Sequence, residues 1–320
     1  MPNLFDIDDL SPEVFQRILT LAVTPPAKPA NPGPLPLAGH GVALLFEKPS
    51  ARTRNSTEMA VVGLGGHPVY IQAAEVGIDT RETAEDVART LGCYHRILCA
   101  RVFDHGLLSR MSGALEGSGF NVPVVNLLSD EAHPCQAVAD IITLRQTVGS
   151  LAGRSLAYIG DSNNMARSLV KAALMEGMDV RVASPLGYDF SSEELSSLTQ
   201  LAAKADQGGM VRSTHDPREA VAGVDAIYTD VWTSMGQEEE RAARVASFSG
   251  FTIDDALVSL ASPEAVVLHC LPAHRGEEIT ASVLEGRQSV VWTQAAHRRT
   301  AMHGILSWSL EDDAAEKVGS

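Results

Sequence analysis

The chain has 320 residues, 40 acidic and 25 basic, for a formal net charge of −15. Its 45% hydrophobic and 20% charged residues describe a soluble globular protein, long enough for two domains that each bury a core. The negative balance argues against broad nucleic-acid binding, because a phosphate backbone would be repelled, and no apolar run approaches the ~20 residues of a membrane span.

Ser11 and Pro12 open a helix whose apolar residues, Val14, Ile18, Leu21 and Ala22, recur at helical spacing. The preceding N-terminus is acidic and lacks the basic region and apolar core of a secretion signal. The stretch TPPAKPANPGPLPLAG carries six prolines and reads as an extended connector. Short apolar runs then alternate with amphipathic stretches. GVALLF (41–46), HPVYI (67–71), RILCA (96–100) and VPVVN (122–126) predict strands, and 52–64, 82–92, 105–117 and 135–148 predict helices. TVGSLAGRS (147–155) places a boundary between domains 1–149 and 150–320. The pattern restarts with strand SLAYIG, helix 165–176, strand MDVRVASP, helix 191–205, and strands DAIYTD and AVVLHC. The last helix, 294–310, is expected to pack back on the first domain. The fold class is α/β, two doubly wound parallel-sheet domains, whose ligands bind beyond the carboxyl ends of the strands.

Chemistry-bearing residues fall at those ends. FEKPSARTRNSTE gathers Lys48, Arg52 and Arg54 with the hydroxyls of Ser50, Thr53 and Ser56 where a strand runs into a helix. A helix N-terminus with these hydroxyls and an arginine fork suits a phosphate, although no Walker loop is present. Arg101 stands at the carboxyl end of the strand RILCA, where a lone arginine is more often a surface or ion-pair residue. His133 and Gln136 flank Pro134 and Cys135 at a helix entrance, fitted to hold a carbonyl and an amide or simply to cap. In the second half YIGDSNNMARS lacks GxGxxG, so Asn163 and Asn164 either bind a polar substrate or cap the helix. Asp230, Ser234 and Met235 follow another strand, where an acid suits an ammonium group, and His269 and Cys270 end the next. The four cysteines (Cys93, Cys99, Cys135, Cys270) form no CxxC pair. No His or Cys pair has convincing zinc spacing, so no metal is expected, and the setting reads as reduced and cytoplasmic. An anionic donor in one half and a cationic acceptor in the other point to group transfer.

Taken together and in order, SARTR, HPCQ, DVWTSMG and HCLPAHRGEE resemble the aspartate/ornithine carbamoyltransferase family over essentially the whole chain. SxRTR and HPxQ are shared family motifs; the SMG loop and HCLP are of the ornithine type. The resemblance implies that Ser50, Ala51, Arg52 and Thr53 cradle the phosphate of carbamoyl phosphate with Arg101 and Arg298, and that His133 and Gln136 hold its carbamoyl group. It places Asn164, Asp230, Ser234 and Met235 on L-ornithine, and Cys270 with Leu271 between the substrates. Arg101, His133 and Cys270 are the implied catalytic residues. It also implies a homotrimer or a multiple of trimers with shared sites, and no cofactor. The chain departs from the family at Ala51 and Thr57. Thr300 stands where the family has a late histidine, and the loop AAEVGIDTRET has no glutamine, leaving Arg81 or Glu75 for the neighbouring subunit. Alternatives are a sister carbamoyltransferase with another amine acceptor, a non-catalytic ligand-binding homologue, and a nicotinamide oxidoreductase, which the missing glycine fingerprint opposes.

Overall fold

The computed structural model describes residues 1–23, 35–205, 208–233 and 238–311. Most of the proline-rich connector, 24–34, lies outside them, as do Ser234 and Met235. The chain forms two compact units, Met1–Val138 with Arg298–Ser320, and Ala139–His297. Among the described residues no helix is long and apolar enough to cross a membrane.

The first unit contains strands β1 (Gly41–Phe46), β2 (His67–Gln72), β3 (His95–Arg101) and β4 (Val124–Leu128). They lie in the order β2-β1-β3-β4, all parallel. β1 is central and buried from Val42 to Phe46, which is why its sequence is continuously apolar. β4 begins after Pro123, two residues later than the apolar run predicts, because proline has no N–H to give to a ladder. Val124, Ala43, Leu98 and Met111 belong to one buried cluster of this unit. The helix Val291–Ser309 ends in the first unit, and its Gly304 approaches the helix Pro12–Val23 closely: a Cβ there would stand 2.6 Å from the Ile18 carbonyl oxygen.

The second unit contains β5 (Ser155–Ile159), β6 (Asp179–Ala183), β7 (Met210–Thr214), β8 (Ala226–Thr229) and β9 (Val266–His269). The order is β7-β6-β5-β8-β9, again all parallel. β7 is a half-exposed edge strand without an apolar run, and for that reason its sequence does not announce it. Ile159, Ile227, Val267 and Phe248 sit in the buried cluster of this unit.

Two parallel sheets flanked by helices are the architecture that the strand–helix alternation predicts. In each sheet the chain leaves one strand to one side and returns on the other, between β1 and β3 in the first unit and between β5 and β8 in the second. The carboxyl ends at such a reversal leave a crevice that crossover helices do not cover.

Candidate active site

In the first unit β1 is followed by the helix Ala51–Gly63, and Ser50 is its N-cap, Oγ accepting from Thr53 N–H at 3.2 Å. The serine therefore fixes the start of the helix and aims its free N–H groups past the end of β1. The three cations of this segment separate. Arg54 pairs with Glu58 at 2.8 Å and lies over the Tyr70 ring, and Lys48 Nζ stands 3.9 Å from the centroid of Phe103. Arg52 instead belongs to a set with Arg101, at the end of β3, and with Arg298.

Thr53, Arg101, His133, Gln136 and Arg298 are each more than nine-tenths buried. Arg298 Nη2 donates to Thr53 Oγ1 at 3.1 Å, while Nη1 donates to Gln136 Oε1 and reaches His133 Nε2 at 3.5 Å. One guanidinium thus joins residues from two separate motifs, SARTR and HPCQ. Burial, followed by the charges of Arg298, Arg101 and Arg52, holds the His133 imidazole well below its ordinary pKa, so it is neutral and its Nε2 accepts from Arg298. Burial, then Arg298 and Arg52, pulls the Arg101 guanidinium down to about 10, and its Nε is buried without a hydrogen-bond partner. Desolvated, mutually repelling cations beside neutral donors and acceptors are what a small, multiply charged anion would stabilise. Ala51 is exposed at the first helical position and has no side-chain hydroxyl.

In the second unit the helix Asn164–Met175 follows β5, capped by Asn163, whose Oδ1 accepts from Met165 N–H at 2.9 Å and Ala166 N–H at 3.1 Å. The asparagine thus caps the helix, and its Nδ2 also donates to Asp230 Oδ2 at 3.2 Å. Asn164 is the first residue of the helix. Asp230, just past β8 and 8% exposed, accepts at Oδ1 from Val231 N–H at 2.7 Å and from the Cys270 thiol at 2.8 Å. Burial pushes the thiol pKa well up and the Asp230 charge adds to it, so Cys270 is a neutral donor rather than a thiolate nucleophile. Ser234 and Met235, assigned to the acceptor from sequence, fall outside the described residues.

The HCLPAHRGEE stretch is held in place by its own residues and by others that belong to no motif. Leu271 has φ +60°, a left-handed conformation that a residue with a Cβ rarely adopts. Its N–H donates to His269 Nδ1 at 2.8 Å, and the opposite ring nitrogen donates to Glu278 Oε1 at 3.1 Å. The His269 N–H donates to Gln294 Oε1 at 2.9 Å, and Gln294 Nε2 donates to Asp140 Oδ1 at 2.7 Å. Tyr228 Oη donates to the other Asp140 oxygen at 2.9 Å. Asp140 was legible only as the one acidic residue of the helix Pro134–Val148; Gln294 carries no local signal at all.

Comparison with known proteins matches both halves of the chain to one family. The model described as aspartate/ornithine carbamoyltransferase, carbamoyl-P binding domain, matches residues 3–146, and that described as the Asp/Orn binding domain matches 152–309. An ornithine carbamoyltransferase of Acidothermus cellulolyticus is 46% identical over 305 residues, 95% of each chain. One from Thermus thermophilus is 43% identical over 308 residues, again 95% of each chain. The solved ornithine carbamoyltransferase of Pyrococcus furiosus superposes with a TM-score of 0.87 at 40% identity, covering 96% of both chains. A solved acetylornithine transcarbamylase is more distant, with a TM-score of 0.82 at 25% identity, covering 98% of this chain and 99% of that one.

Proposed function

We propose, for a chain that belongs to the aspartate/ornithine carbamoyltransferase family, a division of labour among its residues. The chain is an enzyme that transfers the carbamoyl group of carbamoyl phosphate to the side-chain amine of L-ornithine, giving L-citrulline and phosphate. The convergence of Arg52, Arg101 and Arg298 on a neutral His133 carries the assignment of the donor site. Ser50, Ala51, Arg52 and Thr53 take the phosphate at the helix N-terminus with Arg101 and Arg298, and His133 and Gln136 take the carbamoyl oxygen and amide. The acceptor falls to the second unit, where Asp230 draws the ammonium group, Asn164, Ser234 and Met235 take the amino-acid end, and Cys270 with Leu271 borders the reacting amine.

The side-chain ammonium first gives up a proton to solvent; the lone pair of the resulting neutral amine forms the new C–N bond at the carbamoyl carbon, and the C–O bond to phosphate breaks with its electron pair leaving on phosphate. Negative charge that gathers on the carbonyl oxygen meets the hydroxyl of Thr53, the Arg101 guanidinium and His133. The departing phosphate accepts the amine proton. Because the Cys270 thiol keeps its proton, its part is orientation through Asp230. Holding both reactants in line contributes several kcal/mol, at best about 7–11.

Trimeric assembly with shared sites, a cytoplasmic setting and a place in arginine biosynthesis complete the proposal. Arg81, whose Nη2 donates to the Glu75 carbonyl at 3.1 Å, or Glu75 is the residue of the 73–83 loop offered to a neighbouring subunit.

The test is citrulline formation by the purified protein with carbamoyl phosphate and ornithine, run beside putrescine, N-acetylornithine and aspartate. Ornithine-dependent turnover that disappears in Arg52→Ala is the expected result. Turnover with another amine in place of ornithine would move the acceptor assignment, and full turnover in Cys270→Ala would remove the thiol from the reaction.

A further inference from the structure

The turn after β9 holds an arrangement that the transfer reaction does not use. His274 Nδ1, a Glu277 carboxylate oxygen and a Glu278 carboxylate oxygen lie within 4.8 Å of one another. His274 Nδ1 is 3.9 Å from Glu277 Oε2 and 3.9 Å from Glu278 Oε2. Glu278 is 0% exposed, and its Oε2 has no hydrogen-bond partner. Glu277 Oε2 is likewise buried without a partner. Two carboxylate oxygens withdrawn from water, close together and with no donor between them, destabilise each other unless a positive charge joins them.

Neither carboxylate can turn away, because each is anchored by its other oxygen. Glu278 Oε1 accepts from His269 Nε2 at 3.1 Å and from His274 N–H at 2.5 Å, and Glu277 Oε1 is held by Arg241. The anchors aim both Oε2 atoms at the His274 ring, whose side chain is 42% exposed and gives a route to solvent. An imidazole nitrogen with two carboxylate oxygens is a donor set for zinc-class divalent cations, bound at roughly 2.0–2.2 Å from each ligand. A cation at that distance from each ligand holds its donor atoms roughly 3.3–3.6 Å apart, so the 3.9 Å spacings need only small rotations.

A second cluster, Asp230, His269 and Cys270, meets the same spacing test, but its donors are engaged. Both ring nitrogens of His269 are in hydrogen bonds and the Cys270 thiol is committed to Asp230.

We propose that His274 Nδ1, Glu277 Oε2 and Glu278 Oε2 bind a divalent transition-metal cation. Its charge balances the two carboxylates, whose Oε2 atoms are buried, and ties the 274–278 turn to His269, through the Glu278 oxygen that already holds that ring. The site is formed from one turn of the second unit. Its affinity is limited by Arg241, whose positive charge sits on Glu277.

The test is Co2+ titration of metal-stripped, full-length protein carrying no histidine tag, followed by visible absorption, with Zn2+ titrated calorimetrically alongside. Weak ligand-field bands without a near-ultraviolet thiolate band are expected, with affinity falling at least about tenfold in His274→Ala and in Glu277→Gln, a loss of about 1.4 kcal/mol or more, and unchanged in Cys270→Ser. Zn2+ should raise the Tm of the wild type and not that of His274→Ala. His274 is half in solvent, so its variant keeps the test available should Glu277→Gln fail to fold. Three results would each overturn the proposal: no binding at millimolar Co2+, affinity unchanged in the His274 variant, or a thiolate band that Cys270→Ser abolishes.

Discussion

Replacing Arg101 by methionine should make the ligand-free protein more stable while removing its response to anions. The guanidinium is 6% exposed, carries a buried, unpartnered Nε, and is pulled down to about 10 by burial and then by Arg298 and Arg52. A pH unit of such depression corresponds to about 1.4 kcal/mol, so the charged side chain costs the folded, ligand-free protein roughly 3 kcal/mol. Methionine keeps an unbranched stem to fill the space and carries no charge. Some packing is lost, so a net gain of about 1–3 kcal/mol in urea unfolding is expected for Arg101→Met. Orthophosphate should raise the wild-type Tm and leave the variant's nearly unchanged, because the anion no longer relieves the same repulsion. The sign of the pH dependence follows. The unfolded chain holds this proton more tightly than the folded one, so the destabilisation is complete at neutral pH and fades as pH rises through about 10. The gap between variant and wild type should narrow over that range. A variant less stable than wild type by more than about 1 kcal/mol, with an undiminished response to phosphate, would mean that Arg101 is a structural cation and that the electrostatic reasoning is wrong.

His133, held neutral far below its ordinary pKa, should make the protein acid-labile: the unfolded imidazole takes up a proton near pH 6.5 and the folded one does not. Stability should therefore fall as pH drops below about 6.5, and less so in His133→Gln; parallel urea midpoints from pH 7.5 to 5 for the two proteins would refute this. Asp140→Ala leaves the Tyr228 hydroxyl and the Gln294 amide without their shared acceptor, at about 1–3 kcal/mol for each buried group. A loss of roughly 2–6 kcal/mol in urea unfolding is expected, and a change under about 1 kcal/mol would show that this network does not hold the His269 segment.

What the sequence settled by itself was local. Continuous burial of β1 and β3 writes itself as GVALLF and RILCA, and the cap Asn163 stands one residue before the helix it starts. Those signals depend on neighbours within a turn or a strand, so the α/β class and the location of reactive residues at strand ends could be read directly. Elements without such signals escaped: β7 is an exposed edge, and Pro123 moved β4 along the chain. Tertiary structure decided which residues meet. Strand order brings the ends of β1 and β3 together, so Arg52 and Arg101 share one field although 49 positions separate them in the chain. Arg298, from a helix at the far end of the sequence, joins Thr53, His133 and Gln136. The same holds for Asp140 and Gln294, whose hydrogen bond spans 154 residues. Hydrogen bonds, desolvation and charge repulsion depend on distance in space, and the chain order fixes that distance only after the sheets have formed.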